Sequence, residues 1–160
     1  MEEYEYSYNV TDIKPYINFC ENNNYKKISE TSQRRRVFEN IHNRSIISRL
    51  TTKDDETVID FKNTNVSNNN LKISTESKSM IVDDSNKDFF DSLLTTLDFE
   101  QSADNYRIRY VYKKGKVKFE IDNYTSPKMY VLAVEGERTA VDKVIEELKE
   151  LNDKYKINGD

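Results

Sequence analysis

The stretch Tyr106-Arg107-Ile108-Arg109-Tyr110-Val111-Tyr112 decides the fold. In an extended strand its alternation puts Arg107 and Arg109 on one face and Tyr106, Ile108, Tyr110 and Tyr112 on the other. The next segment, Lys116-Val117-Lys118-Phe119-Glu120-Ile121-Asp122, repeats the pattern. Lys116, Lys118, Glu120 and Asp122 share one face, and Val117, Phe119 and Ile121 the other. A strand face that is wholly charged, in both signs, is either the wet side of an open antiparallel sheet or the inside of a closed one.

The same alternation recurs outward from this pair. Over residues 3–10, Glu3, Glu5 and Ser7 oppose Tyr4, Tyr6, Tyr8 and Val10. Over 129–137, Glu135 and Glu137 share a face with Met129, Val131 and Ala133. Over 71–78, Lys72, Ser74, Glu76 and Lys78 fall together. Residues 45–52 and 57–63 read as a strand pair carrying Arg49 and Lys62, and 66–70 as an Asn-rich loop. Residues 26–39 read as a strand in which Arg35 faces away from Arg34 and Arg36, a run that fits either a solvated edge or a phosphate contact.

Three helices follow from 3.6-residue spacing. The first begins at Thr11 or Asp12, tolerates Pro15 in its first turn and carries Ile13, Tyr16, Ile17 and Cys20. The second is capped by Ser85 and carries Phe89, Phe90, Leu93, Leu94 and Leu97. The third spans about 138–151, with Val141, Val144, Ile145, Leu148 and Leu151. This predicts a single domain over 1–153 and a tail over 154–160.

Composition excludes several classes. Three Gly in 160 residues leave no glycine-rich nucleotide loop. A net charge of −4 gives no general nucleic-acid footprint and no polybasic membrane signal. Cys20, the single cysteine, rules out an internal disulfide and sits where a core thiol belongs. His42, the single histidine, has no partner for a His-based metal or nucleophile site. With no signal-like leader and no membrane-length apolar run, the expectation is a soluble cytoplasmic protein.

The fold class is therefore α+β, with about eight strands and three helices. The sheet is either open, with one wet face, or closed into an eight-stranded antiparallel β-barrel with a charged interior and its helices packed outside. Mixed signs favour the barrel. Its inner acids would be Glu3, Glu5, Glu76, Glu120, Asp122, Glu135 and Glu137. Its inner cations would be Arg49, Lys62, Lys72, Arg107, Arg109 and Lys118. A polyanion bound together with Mg²⁺ or Mn²⁺ meets the needs of both sets, because hard divalent cations take carboxylate and phosphate oxygens together.

These strands, in this order, resemble the CYTH superfamily of triphosphate tunnel metalloenzymes over nearly the whole chain. The family's opening E-x-E-x-K strand is matched by Glu3-Tyr4-Glu5-Tyr6-Ser7. Its closing E-x-E, before a last helix, is matched by Glu135-Gly136-Glu137, and between them its basic strand and I-D strand resemble YRIRYVY and FEID. The resemblance implies an eight-stranded antiparallel tunnel. It assigns Glu3, Glu5, Glu135 and Glu137, with Glu76, to the metal. It assigns Arg49, Lys62, Arg107 and Arg109, with Lys72 and Lys118, to the triphosphate, and Glu5, Asp122 and Glu137 to catalysis.

The implied activity is metal-dependent hydrolysis of a terminal phosphoanhydride, in an RNA 5′-triphosphate, a nucleotide or inorganic triphosphate. The LKISTES strand leans toward the RNA branch. Two departures stand out. Ser7 replaces the motif Lys, and Ile47-Ser48-Arg49 replaces the common R-x-R, with Lys78 or Arg36 as possible compensation. They keep open a polyphosphate-binding module without turnover. A class IV adenylyl cyclase is the other alternative.

Overall fold

The computed structural model describes residues 2–67 and 69–158, so Asn68 of the 66–70 loop and the last two residues of the expected tail lie outside the described residues. The chain runs β1 (Glu2–Val10), α1 (Lys14–Asn22), β2 (Lys26–Asn40), β3 (Asn43–Lys53), β4 (Glu56–Val66), β5 (Leu71–Glu76) and β6 (Met80–Val82). It continues through α2 (Lys87–Thr96), β7 (Phe99–Lys114), β8 (Val117–Ser126), β9 (Lys128–Gly136), α3 (Arg138–Glu147) and α4 (Lys149–Tyr155). The sheet order is β3-β2-β7-β8-β9-β1-β5-β4, and β4 pairs back with β3. Eight antiparallel strands therefore close into a barrel. β6 pairs with residues 57–59 of β4, beyond the 62–66 segment that β5 covers.

Two-residue alternation sends apolar side chains outward. On one flank Tyr4, Tyr8, Phe119, Ile121, Leu132 and Val134 pack against Tyr16 and Cys20 of α1 and Val141, Val144 and Leu148 of the C-terminal helices. On another, Leu50 and Ile59 pack under Phe90 and Leu94 of α2. The helices thus cover the apolar outside of the barrel and leave its inside to charge. Among the described residues no helix is long and apolar enough to cross a membrane.

Several local expectations give way. α1 begins at Lys14; Asp12 accepts from the Lys14 N–H at 3.0 Å, but no side chain caps the helix at Ile13. Ser85 does not cap α2: its hydroxyl bonds Asp83, and Asn86 holds the cap position. The single helix expected over 138–151 is broken at Leu148, whose ψ of −1° interrupts the helical ladder. The tail is not loose over 154–157. Tyr155 accepts from the Thr11 N–H at 2.8 Å, Ile157 donates to the Asn9 carbonyl at 3.0 Å, and Lys156 bridges Val10. Residues 99–105 lengthen β7 beyond the expected strand, and β6 was not expected; the first has only Phe99 and Ala103 as apolar residues and the second has three residues, so neither gives a strong period.

Asn152 of α4 ties three elements together. Its Oδ1 accepts from the hydroxyls of Tyr8 and Tyr16, each at 2.8 Å. Both tyrosines are buried, so Asn152→Ala orphans two donors and is expected to cost about 1–3 kcal/mol in denaturant unfolding. Phe119→Ala, at a site with no exposure, is expected to cost about 3–5 kcal/mol.

Candidate functional site: a charge-layered tunnel

The barrel encloses a cavity of about 810 Å³ walled by the polar faces of its strands. The register shows how the charges are ordered along it. From Glu5 of β1, a two-residue step at each strand boundary passes through Ser74, Lys62, Arg49 and Arg35. It continues through Arg107, Asp122 and Ala133 and returns to Glu5. This is one level of the tunnel, and it holds four cations: Arg35, Arg49, Lys62 and Arg107.

The cross-strand partners of these residues form the levels on either side. On the side of the β1 N-terminus lie Glu3, Glu76, Asp60, Glu120 and Glu135, with Arg109 among them. On the other side lie Ser7, Lys72, Ile47, Val37, Tyr124 and Val131. The lumen is therefore zoned: an acidic level, a basic level, and a level uncharged apart from Lys72, where Val37, Ile47 and Val131 lie with the polar Ser7 and Thr64.

Ion pairs join the first two levels. Arg49 grips Asp60 with two bonds, at 2.9 and 2.6 Å, and reaches Glu76 at 3.0 Å. Arg109 grips Asp122 at 2.8 and 2.9 Å and donates to Glu120 at 3.0 Å. Lys62 contacts Glu3 at 2.9 Å and Glu76 at 3.5 Å. Arg107 is held by Gln33 and by the Tyr124 hydroxyl, with Asp122 at 3.5 Å. Lys118, toward the acidic mouth, contacts Glu135 at 2.6 Å. Two-pronged Arg–carboxylate bonds fix the guanidinium planes before any ligand arrives.

Compensation is incomplete: Lys72 makes no ion pair among the described residues, and two further features stand out. Arg35 has only Thr51 as a side-chain hydrogen-bond partner, at 3.0 Å, and no carboxylate partner among the described residues. Burial first, then Arg107, Arg109 and Arg49, depress its pKa. Where the acidic and basic levels meet, Glu3 and Glu135 of the first and Glu5 of the second bring one oxygen each to within 4.8 Å of one another. Burial, followed by Glu120 and Glu3, pushes Glu135 up to about 8, while for Glu3 burial is outweighed by its contacts with Glu135 and Lys62, which lower its pKa. Burial also raises Glu5, against the pull of Lys62. Three crowded hard-oxygen donors that the surrounding lysines do not fully compensate are a donor set suited to a divalent cation.

Of the residues expected at the site, Glu3, Glu5, Glu76, Asp122, Glu135, Arg49, Lys62, Lys72, Arg107, Arg109 and Lys118 all face this cavity. Glu76 faces Arg49 and Lys62 and lies outside the three-carboxylate cluster. Glu137 does not join the site. β9 ends at Gly136, whose φ of +143° turns the chain; a Cβ there would lie 1.9 Å from the Lys116 carbonyl oxygen. Strand parity is lost at that point, and Glu137 becomes the N-cap of α3, accepting from the N–H groups of Thr139 and Ala140. Those bonds lower its pKa, as a cap carboxylate should behave. Neither Arg36, which stacks on Phe38, nor Lys78 lines the cavity. The additional cations are Arg35 and Arg44; the signal for Arg35 was the odd–even parity of the 34–36 run. Asp60 was also missed, because its partner Arg49 lies on another strand.

No protein-family model matches this chain, and no curated protein matches it in sequence. Solved structures do. PH1012 from Pyrococcus horikoshii OT3 superposes with a TM-score of 0.70 at 16% identity, covering 94% of this chain and 87% of that one. HpAC1 from Hippeastrum, an adenylyl cyclase candidate with a dominant triphosphatase activity, superposes at 0.67 with 15% identity, covering 99% and 91%. A chain of the Schizosaccharomyces pombe Mediator head module superposes at 0.63 with 12% identity, covering 98% of each. The fold shared with these structures is the closed eight-stranded antiparallel barrel with helices outside.

Glu137→Ala is expected to lower the melting temperature through loss of the cap and to leave divalent-ion binding, read by calorimetry, unchanged. A carboxyl whose pKa is raised on folding binds more protons in the folded state. In metal-free protein, the contribution of Glu135 therefore falls as pH rises from 4.5 toward about 8. Glu135→Gln is expected to flatten that part of the melting-temperature profile and to weaken Mn²⁺ binding.

Proposed function

We propose that this chain, with the triphosphate tunnel fold, is a metal-dependent triphosphatase that releases orthophosphate from a triphosphate, with a nucleotide or RNA 5′ end as the leading substrates. The observation that carries this reading is the zoning of the lumen. A level of four cations abuts a cluster of three carboxylates, so one ligand can meet both only if it pairs polyphosphate with a divalent cation.

Glu3, Glu5 and Glu135 would hold Mg²⁺ or Mn²⁺, which supplies Lewis-acid charge to the phosphate oxygens. Arg35, a half-buried lumen cation with no carboxylate partner among the described residues, is the natural anchor for a phosphate. Arg107, Arg109 and Lys62 orient the chain of phosphates and neutralise charge as it develops. A water oxygen then bonds to the terminal phosphorus, the bridging P–O bond breaks, and orthophosphate leaves while the water's proton passes to solvent. Positioning and electrostatics supply most of the rate in such a transfer. Both oxygens of Asp122 are occupied by Arg109. Its proposed role is to hold that guanidinium rather than to take the proton.

A second reading is a phosphate-binding module without turnover. It draws on Ser7 and Ile47, which line the cavity where the family motifs place cations. A class IV adenylyl cyclase would use the same tunnel to make pyrophosphate and a cyclic nucleotide. Phosphate release and product identity, measured across tripolyphosphate, ATP, GTP and 5′-triphosphate RNA with Mg²⁺, Mn²⁺ or chelator, separate the three.

Glu5→Ala is expected to abolish release while the circular dichroism spectrum is kept; full activity in that variant would sink the metal assignment. Arg35→Ala is expected to weaken triphosphate binding more than tenfold, on the scale of a charge-assisted hydrogen bond. Because it removes an uncompensated buried charge, the same change is expected to raise the melting temperature of the ligand-free protein.

A further inference from the structure

The two departures from the family pattern fall on one level of the tunnel. Ser7 is the cross-strand partner of Ala133, and Ile47 that of Lys62, so both lie one step beyond the basic level on the side away from the carboxylates. Val37 and Val131 occupy the same level, as partners of Arg49 and Asp122. Tyr124 completes the wall, with Arg107 lying 5.8 Å from its ring centroid. Lys72 is the sole cation there and is paired across the strands with Glu5. Arg44, farther toward that mouth, is already neutralised by Glu100 at 2.6 Å and Glu39 at 3.3 Å.

A phosphate placed at this level would be stripped of water against Ile47, Val37 and Val131 with little charge to meet it, which is costly. An uncharged organic group would meet apolar surface, small hydroxyls and an aromatic ring, a lining of the kind that binds neutral planar ligands. Resting on the triphosphatase reading, we propose that the Ser7–Ile47 level is a specificity determinant that admits the uncharged nucleoside end of a nucleoside 5′-triphosphate group, free or at an RNA 5′ end, and rejects the continuing charge of inorganic polyphosphate.

Competition binding in chelator tests this, with ATP, a 5′-triphosphate oligoribonucleotide and inorganic tripolyphosphate as probes; kcat/KM for each with Mg²⁺ is the second readout. The wild-type protein is expected to favour both nucleoside triphosphates over tripolyphosphate by about tenfold or more, the worth of one charge-assisted contact. Which of the two binds more tightly identifies the source of the group. Ile47→Arg and, as a milder change, Ser7→Lys are each expected to strengthen tripolyphosphate binding severalfold and to narrow that preference, with melting curves confirming the fold. Tripolyphosphate bound as tightly as ATP by wild type, or a preference unmoved in both folded variants, overturns this inference alone. Binding of none of the three probes overturns the triphosphatase reading and this inference with it.

Discussion

Closure of the sheet through the β3–β4 pairing is the constraint on which everything else rests. An open sheet could leave its charged face to bulk water. A closed one wraps that face around a narrow lumen, where each charge must find a partner or remain uncompensated at a cost. Most find one. Arg49 takes Asp60, Arg109 takes Asp122 and Lys118 takes Glu135. These pairs cross between strands, so they also pin the register that sets the levels. Arg35 and Lys72 have no ion pair among the described residues, and Glu3, Glu5 and Glu135 crowd three carboxylates around Lys62 and Lys118; these are where ligand chemistry is expected.

The outside of the barrel answers the opposite need. Tyr4 and Tyr8 of β1 and Tyr16 of α1 bring large apolar rings into the layer between barrel and helices, while their hydroxyls find acceptors in Asp142 of α3 and Asn152 of α4. This explains how so polar a chain builds a core. Each strand spends half its residues on the lumen, and aromatic bulk makes up for the small number of apolar positions. Phe119, packed against Phe19 and Tyr25, shows the same economy on the β8 side.

Much of this was legible in the sequence because strand period is a strict rule. Alternation in YRIRYVY and KVKFEID placed Arg107, Arg109, Lys118, Glu120 and Asp122 on the lumen, and the barrel bears that out. Parity fails where the backbone leaves the strand. Gly136 turns the chain before Glu137, and no count of two anticipates a positive φ. Parity is also silent about depth along the tunnel. The sequence could say that Arg35 and Arg36 point oppositely, but only the stagger between β2 and its neighbours puts Arg35 on the level of Arg49 and Arg107. The fold by itself leaves function open, since the same architecture is found in HpAC1 and in the Mediator head module.

The two-residue stagger has a consequence for how such a molecule can change. Because neighbouring strands contribute to a level at offset positions, each strand carries one residue for the acidic zone, one for the basic zone and one for the neutral zone, in sequence. Glu3, Glu5 and Ser7 of β1 are such a triplet, as are Asp60, Lys62 and Thr64 of β4. Ion pairs couple the acidic and basic zones, so a point substitution there touches both, whereas one in the uncharged zone breaks none of those pairs. The choice of what lies beyond the phosphates is thus adjustable apart from metal affinity and phosphate grip. A tunnel of this kind can drift in what it accepts while the charge pairs that hold it together stay in place.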